Sequence, residues 1–235
     1  MKKRRFARGC LRAWRLLELE EVNMLNLVKL PVLKSNVALR VSKGHFVTNH
    51  SHINYYIDVT FQKSRLSEAQ ATAKALARQY VNTTIVDTIL CLDGMEVVGT
   101  CLAEELTKAG VMSINAHQTI YVVTPETSSE SQLFFRESLQ PMIRGKHVLI
   151  LLASATTGIT ASRSADCVRY YGGCVAGLSA IYSAIDTTED GTPINALFHV
   201  ADLPDYAGYS AHNCPMCRRG EKIDALVTGN GYSTL

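Results

Sequence analysis

Apolar and polar positions alternate between two periods along this chain. Val148 to Leu152 is five consecutive apolar residues, and it breaks into the small and hydroxylic run Ala153-Ser154-Ala155-Thr156-Thr157-Gly158. A short apolar run stopped this abruptly predicts a strand buried on both faces. Thr160 to about Tyr171 then predicts a helix closed by Gly172-Gly173. Upstream, Ser67-Glu68-Ala69-Gln70 has the form of a capping box, with apolar residues at helical spacing through Ala73, Leu76, Ala77 and Tyr80. Ile85 to Leu92 predicts a strand and Met95 to Ala109 a helix capped by Gly110. Thr119 to Thr124, Cys174 to Ile185 and Ala196 to Val200 predict further strands, and Tyr55 to Val59 the end of an earlier one. Pro31 breaks any helix between Leu25 and Arg40. Strands alternating with helices from Tyr55 to Val200 predict an α/β fold with a mainly parallel central sheet flanked by helices.

Composition changes this picture little; the placement of charge changes it more. The 235 residues suffice for one full core with extensions. The net charge of +3 hides an asymmetry, because Lys2, Lys3, Arg4, Arg5, Arg8, Arg12 and Arg15 fall in the first fifteen residues without an acid. Without those seven, the 24 Lys and Arg drop to 17 against 21 Asp and Glu. The body is mildly acidic, which argues against a nucleic-acid-binding face. Residues 1–23 read as a basic, Leu-rich extension, with Met24 opening the body. No apolar stretch reads as a secretory signal or is long enough to span a membrane, so a cytoplasmic protein without membrane contact is expected. The division expected is 1–23 extension, 24–205 α/β domain and 206–235 C-terminal tail.

Three segments carry candidate chemistry. Ser154, Ala155, Thr156, Thr157, Gly158 and Thr160 lie between a strand and a helix. Backbone N–H groups at a helix N-terminus, with hydroxyls beside them, bind phosphate without a lysine. An ordinary βα turn gives the same pattern. Glu126 to Gln132 is polar and Ser-rich, the composition of a mobile loop, and holds Glu126 and Glu130 but no Lys or Arg. Cys214-Pro215-Met216-Cys217 supplies half of a zinc site, which His199 or His212 could complete; two free thiols are the alternative. Gly44 to Asn54 reads as a polar loop, and its His45, His50 and His52 show no obvious fourth metal ligand. The other cysteines, Cys91, Cys101, Cys167 and Cys174, read as small core residues of a reducing compartment.

The run Val148 to Thr160 resembles the phosphoribosyl-diphosphate (PRPP) loop of type I phosphoribosyltransferases, in which an apolar strand and two acids precede Thr-Thr-Gly-x-Thr. Thr156, Thr157, Gly158 and Thr160 match, whereas Leu152 and Ala153 stand where the family has its ribose-binding acids. Phe46 and Tyr55-Tyr56-Ile57-Asp58 are similar to the orotate-specific branch; Asn49, His50 and Ser51 occupy the neighbourhood of that branch's Lys-Ser-Gly. The resemblance implies a small N-terminal hood and transfer of a phosphoribosyl group from PRPP to a nucleobase with release of pyrophosphate. It implies Mg²⁺, a homodimer, and pyrophosphate binding at Asp93, Gly94 and Met95. It places the base beside Phe46, Tyr55 or Tyr56. In the orotate branch a cationic loop closes over the pyrophosphate, and Glu126 to Gln132 departs from it. A non-catalytic binder of ribose 5-phosphate or a nucleotide on the same fold is the alternative. A Cys-Pro-x-Cys tail occurs in some relatives, where it is structural, with Zn²⁺ as its candidate ion.

Overall fold

A computed structural model describes residues 25–30, 36–108, 113–116, 118–129 and 132–235. The expectations for residues 1–23, Pro31, Gly110 and Glu130 lie outside the described residues. Two sheets organise the rest. The central one has the order β10-β9-β8-β4-β5 and is parallel throughout. Its strands are β4 (Thr88–Cys91), β5 (Tyr121–Val123), β8 (His147–Ala155), β9 (Cys174–Ser183) and β10 (Ile194–His199).

β8 runs through the middle and shows why its sequence reads as continuously apolar. Leu149, Leu151 and Ala153 pack on the face covered by α2 (Leu66–Ala77) and α3 (Glu96–Lys108). Val148, Ile150 and Leu152 pack on the opposite face, against α4 (Ile159–Tyr170). Period-two alternation thus sends both sets of β8 side chains into apolar layers.

The second sheet is the hood, with the order β11-β3-β2-β12-β13 and β1 (Val28–Lys29) added on β2. Its centre is the antiparallel pair β2 (Arg40–Val47) and β3 (His52–Asp58), followed by the short helix α1 (Thr60–Ser64). Segment 206–235 returns to this sheet. It supplies β11 (Gly208–Tyr209), the turn of helix α5 (Pro215–Arg218), β12 (Ala225–Thr228) and β13 (Gly231–Thr234). β12 lies parallel to β2, pairing Ala225 with Phe46 and Leu226 with Val47. Between β5 and β8 of the central sheet, β6 (Glu126–Thr127) and β7 (Leu133–Phe134) form a small hairpin.

Several expectations change. Gly44 to Asn54 is not one polar loop: it is the end of β2, a turn at 48–51 and the start of β3, and the buried side chains of His45 and His52 explain its polarity. The capping box does not form, because α2 begins two residues earlier than a Ser67 cap requires, at Leu66 after Arg65, and Ser67 sits inside the first turn. The Glu126–Gln132 segment is partly hairpin instead of irregular loop. Among the described residues no helix is long and apolar enough to cross a membrane.

Candidate functional site

The C-terminal end of β8 meets the hood at a cleft. A cavity of about 150 Å³ lies between the β2–β3 turn, α1 and Ala153–Ser154, and it shares Asn49, His50, Asp93 and Thr160 with a wider one of about 770 Å³ beside the β6–β7 hairpin. A third, of about 410 Å³, shares His50 and Thr156 with the first. The first alone is too small for a phosphorylated sugar. Joined to its neighbour, it reaches the range of roughly 300–1,000 Å³ in which small-molecule sites fall. The position is the one where open α/β sheets bind ligands, beyond the carboxyl ends of the strands.

β8 ends at Ala155, residues 156–158 bend, and α4 begins at Ile159. Gly158 caps it with φ 78°, a left-handed conformation that glycine adopts without cost. The first N–H groups of α4 have no partner within the helix and carry its positive dipole end. Ser154, Thr156 and Thr160 line the small cavity and Thr157 lines the third one, while Ala155 is buried. The expected phosphate segment therefore surrounds the cleft.

Asp93 and Gly94 form the opposite wall. Both have positive φ, 55° and 76°, which turns the chain sharply between β4 and α3. Asp93 lines the small cavity and the wider one and Gly94 the wider one, but Met95 is fully buried and turned into the core. Lys63 ties this turn to the hood: its Nζ donates to the Asp93 carbonyl at 2.8 Å and to the Gly229 carbonyl at 2.5 Å. Gly229 is required there, because a Cβ would overlap the Asp93 carboxylate.

Burial pushes the Asp93 carboxyl above its ordinary pKa, opposed by the Ala153 N–H that it accepts and by the Lys63 charge. A carboxyl whose folded pKa is raised stabilises the fold below the unfolded value, and that contribution is lost as pH rises through the folded value. Asp93→Asn keeps a residue that tolerates left-handed backbone and removes this charge cost. It is expected to match or exceed wild-type stability at pH 7, with the difference shrinking towards about pH 4, as read from urea unfolding midpoints. A variant weakened only at pH 7 would mean that the attraction to Lys63 dominates.

Of the three expected base-binding aromatics, Phe46 and Tyr56 share one core cluster, with ring centroids 6.0 Å apart, and only Tyr56 borders a cavity. Tyr56 lines the small cavity, edge-on to Tyr232 with ring centroids 5.1 Å apart. Phe46 is 0% exposed, in a core cluster with Leu25, Ile53 and Ala225. Tyr55 faces away and its hydroxyl donates to the Pro204 carbonyl at 3.0 Å. Phe46 and Tyr55 therefore do not line the cavity: strand alternation and core packing turn them elsewhere. The two positions of the missing acids separate. Leu152 is sealed under α4, and only Ala153 reaches the cavity. At the hairpin, Arg136 is held by both oxygens of Glu126, one of them at 2.7 Å, so this cation is already neutralised. Arg163, on the second turn of α4, lines the wider cavity without an ion-pair partner among the described residues.

Cys214 and Cys217 meet His45 and His52, not His199 or His212. His199 bonds the Ala196 carbonyl instead, and His212 lies outside the group. The missed partners, and Lys63, sit far from their targets in sequence. No local pattern marks the histidines either: the buried positions along β2 fall in the pairs 41–42 and 45–46 instead of alternating.

This architecture is the type I phosphoribosyltransferase fold. The chain superposes on UMP synthase from Leishmania donovani with a TM-score of 0.51 at 14% identity, covering 69% of this chain and 34% of that one. It thus spans about a third of the synthase's length. Orotate phosphoribosyltransferase from Aeropyrum pernix matches with a TM-score of 0.47 at 18% identity, over 68% of this chain and 88% of that one. The Mycobacterium tuberculosis H37Rv orotate phosphoribosyltransferase, in complex with Fe(III) dicitrate, matches at 0.46 and 17% identity, over 79% and 95%. No protein-family model matches the sequence, and no curated protein does.

Proposed function

We propose that this cleft binds PRPP and transfers its phosphoribosyl group to a nucleobase. The observation that carries the reading is the convergence of Thr156, Thr160, Asp93, Gly94 and Tyr56 on two adjoining cavities, with Thr157 on a third that shares Thr156. The N-terminus of α4, with the Thr156, Thr157 and Thr160 hydroxyls, takes the 5′-phosphate. The ribose lies over Ala153, with the Asp93 carboxylate beside it in place of the family's acids. The pyrophosphate points towards Gly94 and Arg163, and the base packs against Tyr56. In the reaction a base nitrogen forms the bond to ribose C1 as the C1–oxygen bond to pyrophosphate breaks, and the electron pair leaves with the pyrophosphate. Lys63 and Arg163 are the cations placed to offset that charge; positioning and charge stabilisation supply the rest.

The family chemistry implies Mg²⁺. Asp93 and Glu96 both line the wider cavity, and one or two carboxylates with substrate phosphates are the oxygen ligands that Mg²⁺ takes. They would hold the ion, which when bound offsets pyrophosphate charge.

A second reading, a non-catalytic binder of a phosphoribosyl ligand, is favoured by two observations: Leu152 buried in the core and Arg136 neutralised by Glu126. Pyrophosphate release from PRPP and Mg²⁺, measured across a nucleobase panel with orotate first, separates the two. Transfer predicts release that needs one base and falls at least tenfold in Thr157→Ala. No release with any base, alongside saturable ribose 5-phosphate binding, establishes the binder.

A further inference from the structure

We propose that His45, His52, Cys214 and Cys217 hold one Zn²⁺, and that this ion staples the C-terminal segment to the hood and sets two walls of the cleft. Neither the ion nor its ligands depend on the phosphoribosyl reading.

The four ligand atoms lie within 4.8 Å of one another. His45 Nε2 is 3.0 Å from His52 Nδ1, 3.7 Å from Cys214 Sγ and 3.6 Å from Cys217 Sγ, and Cys217 Sγ is 3.3 Å from His52 Nδ1. A tetrahedral zinc with Zn–S of about 2.3 Å and Zn–N of about 2.0–2.1 Å requires S···N edges of about 3.6 Å and an N···N edge of about 3.3 Å. The observed edges match within a few tenths of an ångström. Ordinary hydrogen bonding explains them less well, because three neighbours crowd one imidazole lone pair. His45 Nδ1 donates to the Glu221 carbonyl at 3.0 Å. A carbonyl only accepts, so Nδ1 carries the proton and Nε2 presents its lone pair to the group. Metal-bound histidines are oriented in the same way, with the outer ring nitrogen bonded to a carbonyl or carboxylate.

The fold prepares this arrangement. The β2–β3 register shifts between Lys43 and Phe46, around His45, and Val47 pairs with His52; the two imidazoles come together on one side of the hairpin, with ring centroids 5.2 Å apart. His45 and Cys214 are buried and His52 is 9% exposed, while Cys217 sits at the rim. Pro215 starts α5 directly after Cys214 and brings Cys217 back alongside it. Two cysteines and two histidines from the protein leave no open position, which defines a structural ion instead of a catalytic one.

Each ligand pair is joined through the chain to a wall of the cleft. The turn between the two histidines carries Thr48, Asn49 and His50, which line the small cavity. After the cysteines, Asp224 locks to His45 by a reciprocal pair of bonds of 2.7 and 2.9 Å. β12 begins at the next residue and delivers Val227, Thr228 and Gly229 to the same cavity. Joining segments 169 positions apart, as His45 and Cys214 are, closes a long loop, and clips across long loops stabilise most in principle.

The test uses the full-length protein purified under reducing conditions without added metal. Elemental analysis is expected to find one zinc per chain. Exchange for Co²⁺ is expected to give tetrahedral ligand-field bands with thiolate charge-transfer bands. Cys217→Ser, at the exposed ligand, is expected to lose those charge-transfer bands in part and to weaken metal binding at least a hundredfold. Chelation of the wild type is expected to raise hydrogen exchange at 48–51 and 225–229 together. A protein that contains no zinc and gives no tetrahedral cobalt spectrum overturns the proposal, as does a Cys214–Cys217 disulfide in the reduced preparation. Zinc bound with unchanged exchange in the two cleft segments after chelation overturns the staple.

Discussion

Leu152→Asp lowers the stability of the fold by about 3–5 kcal/mol, the cost of an uncompensated buried charge, whereas Ala153→Asp costs far less. The two residues are adjacent, yet their surroundings differ. Leu152 is 0% exposed among Leu90, Ala161, Ala165 and Ala196, with no cation to receive a carboxylate. Ala153 is itself only 1% exposed, but it borders the small cavity, whose lining includes Lys63, and its N–H already serves the Asp93 carboxylate. Restoring the first acid is therefore closed to this protein as packed, and restoring the second is open. Equilibrium unfolding in urea reads the difference. Equal losses for the two variants would mean that strand β8 does not divide its faces as described.

Gly158→Ala is expected to weaken ribose 5-phosphate binding at least tenfold while leaving a folded protein. Any side chain at φ 78° costs about 1–2 kcal/mol in left-handed backbone. The added Cβ would also lie 2.6 Å from Ile185 Cδ1, so that side chain must move or the turn must rotate. Rotation re-aims the N–H groups at the start of α4, and a tenfold loss corresponds to only about 1.4 kcal/mol. Gly158→Val is expected to lose more. Titration calorimetry with ribose 5-phosphate checks both variants. Unchanged affinity in Gly158→Val would remove the phosphate from this turn.

The central sheet and the turn from β8 into α4 were legible because their signals are local. An apolar run buried on both faces, a Gly-containing turn and a helix sit next to one another between 148 and 171, and each predicts the next. The hood was not legible in the same way. β12 is four residues long, and its partner β2 is some 180 positions away, so neither length nor periodicity announces the pairing. His45 and His52 read as loop polarity because the residues that use them, Cys214 and Cys217, lie at the other end of the chain. Nothing local in the sequence singles out Lys63. Only the fold shows it bonded to the carbonyls of Asp93 and Gly229. Phe46 and Tyr55 were expected at the base by resemblance; the fold packs the first into the hood core and bonds the second to the Pro204 carbonyl.

The central claim is that a phosphoribosyl ligand seats its phosphate at the start of α4. Backbone amide NMR during a ribose 5-phosphate titration tests it most directly. Saturable shifts concentrated at residues 156–161, with smaller ones at 93–94, are the predicted result. Shifts confined to other surfaces, or none at ligand concentrations in the millimolar range, would contradict it.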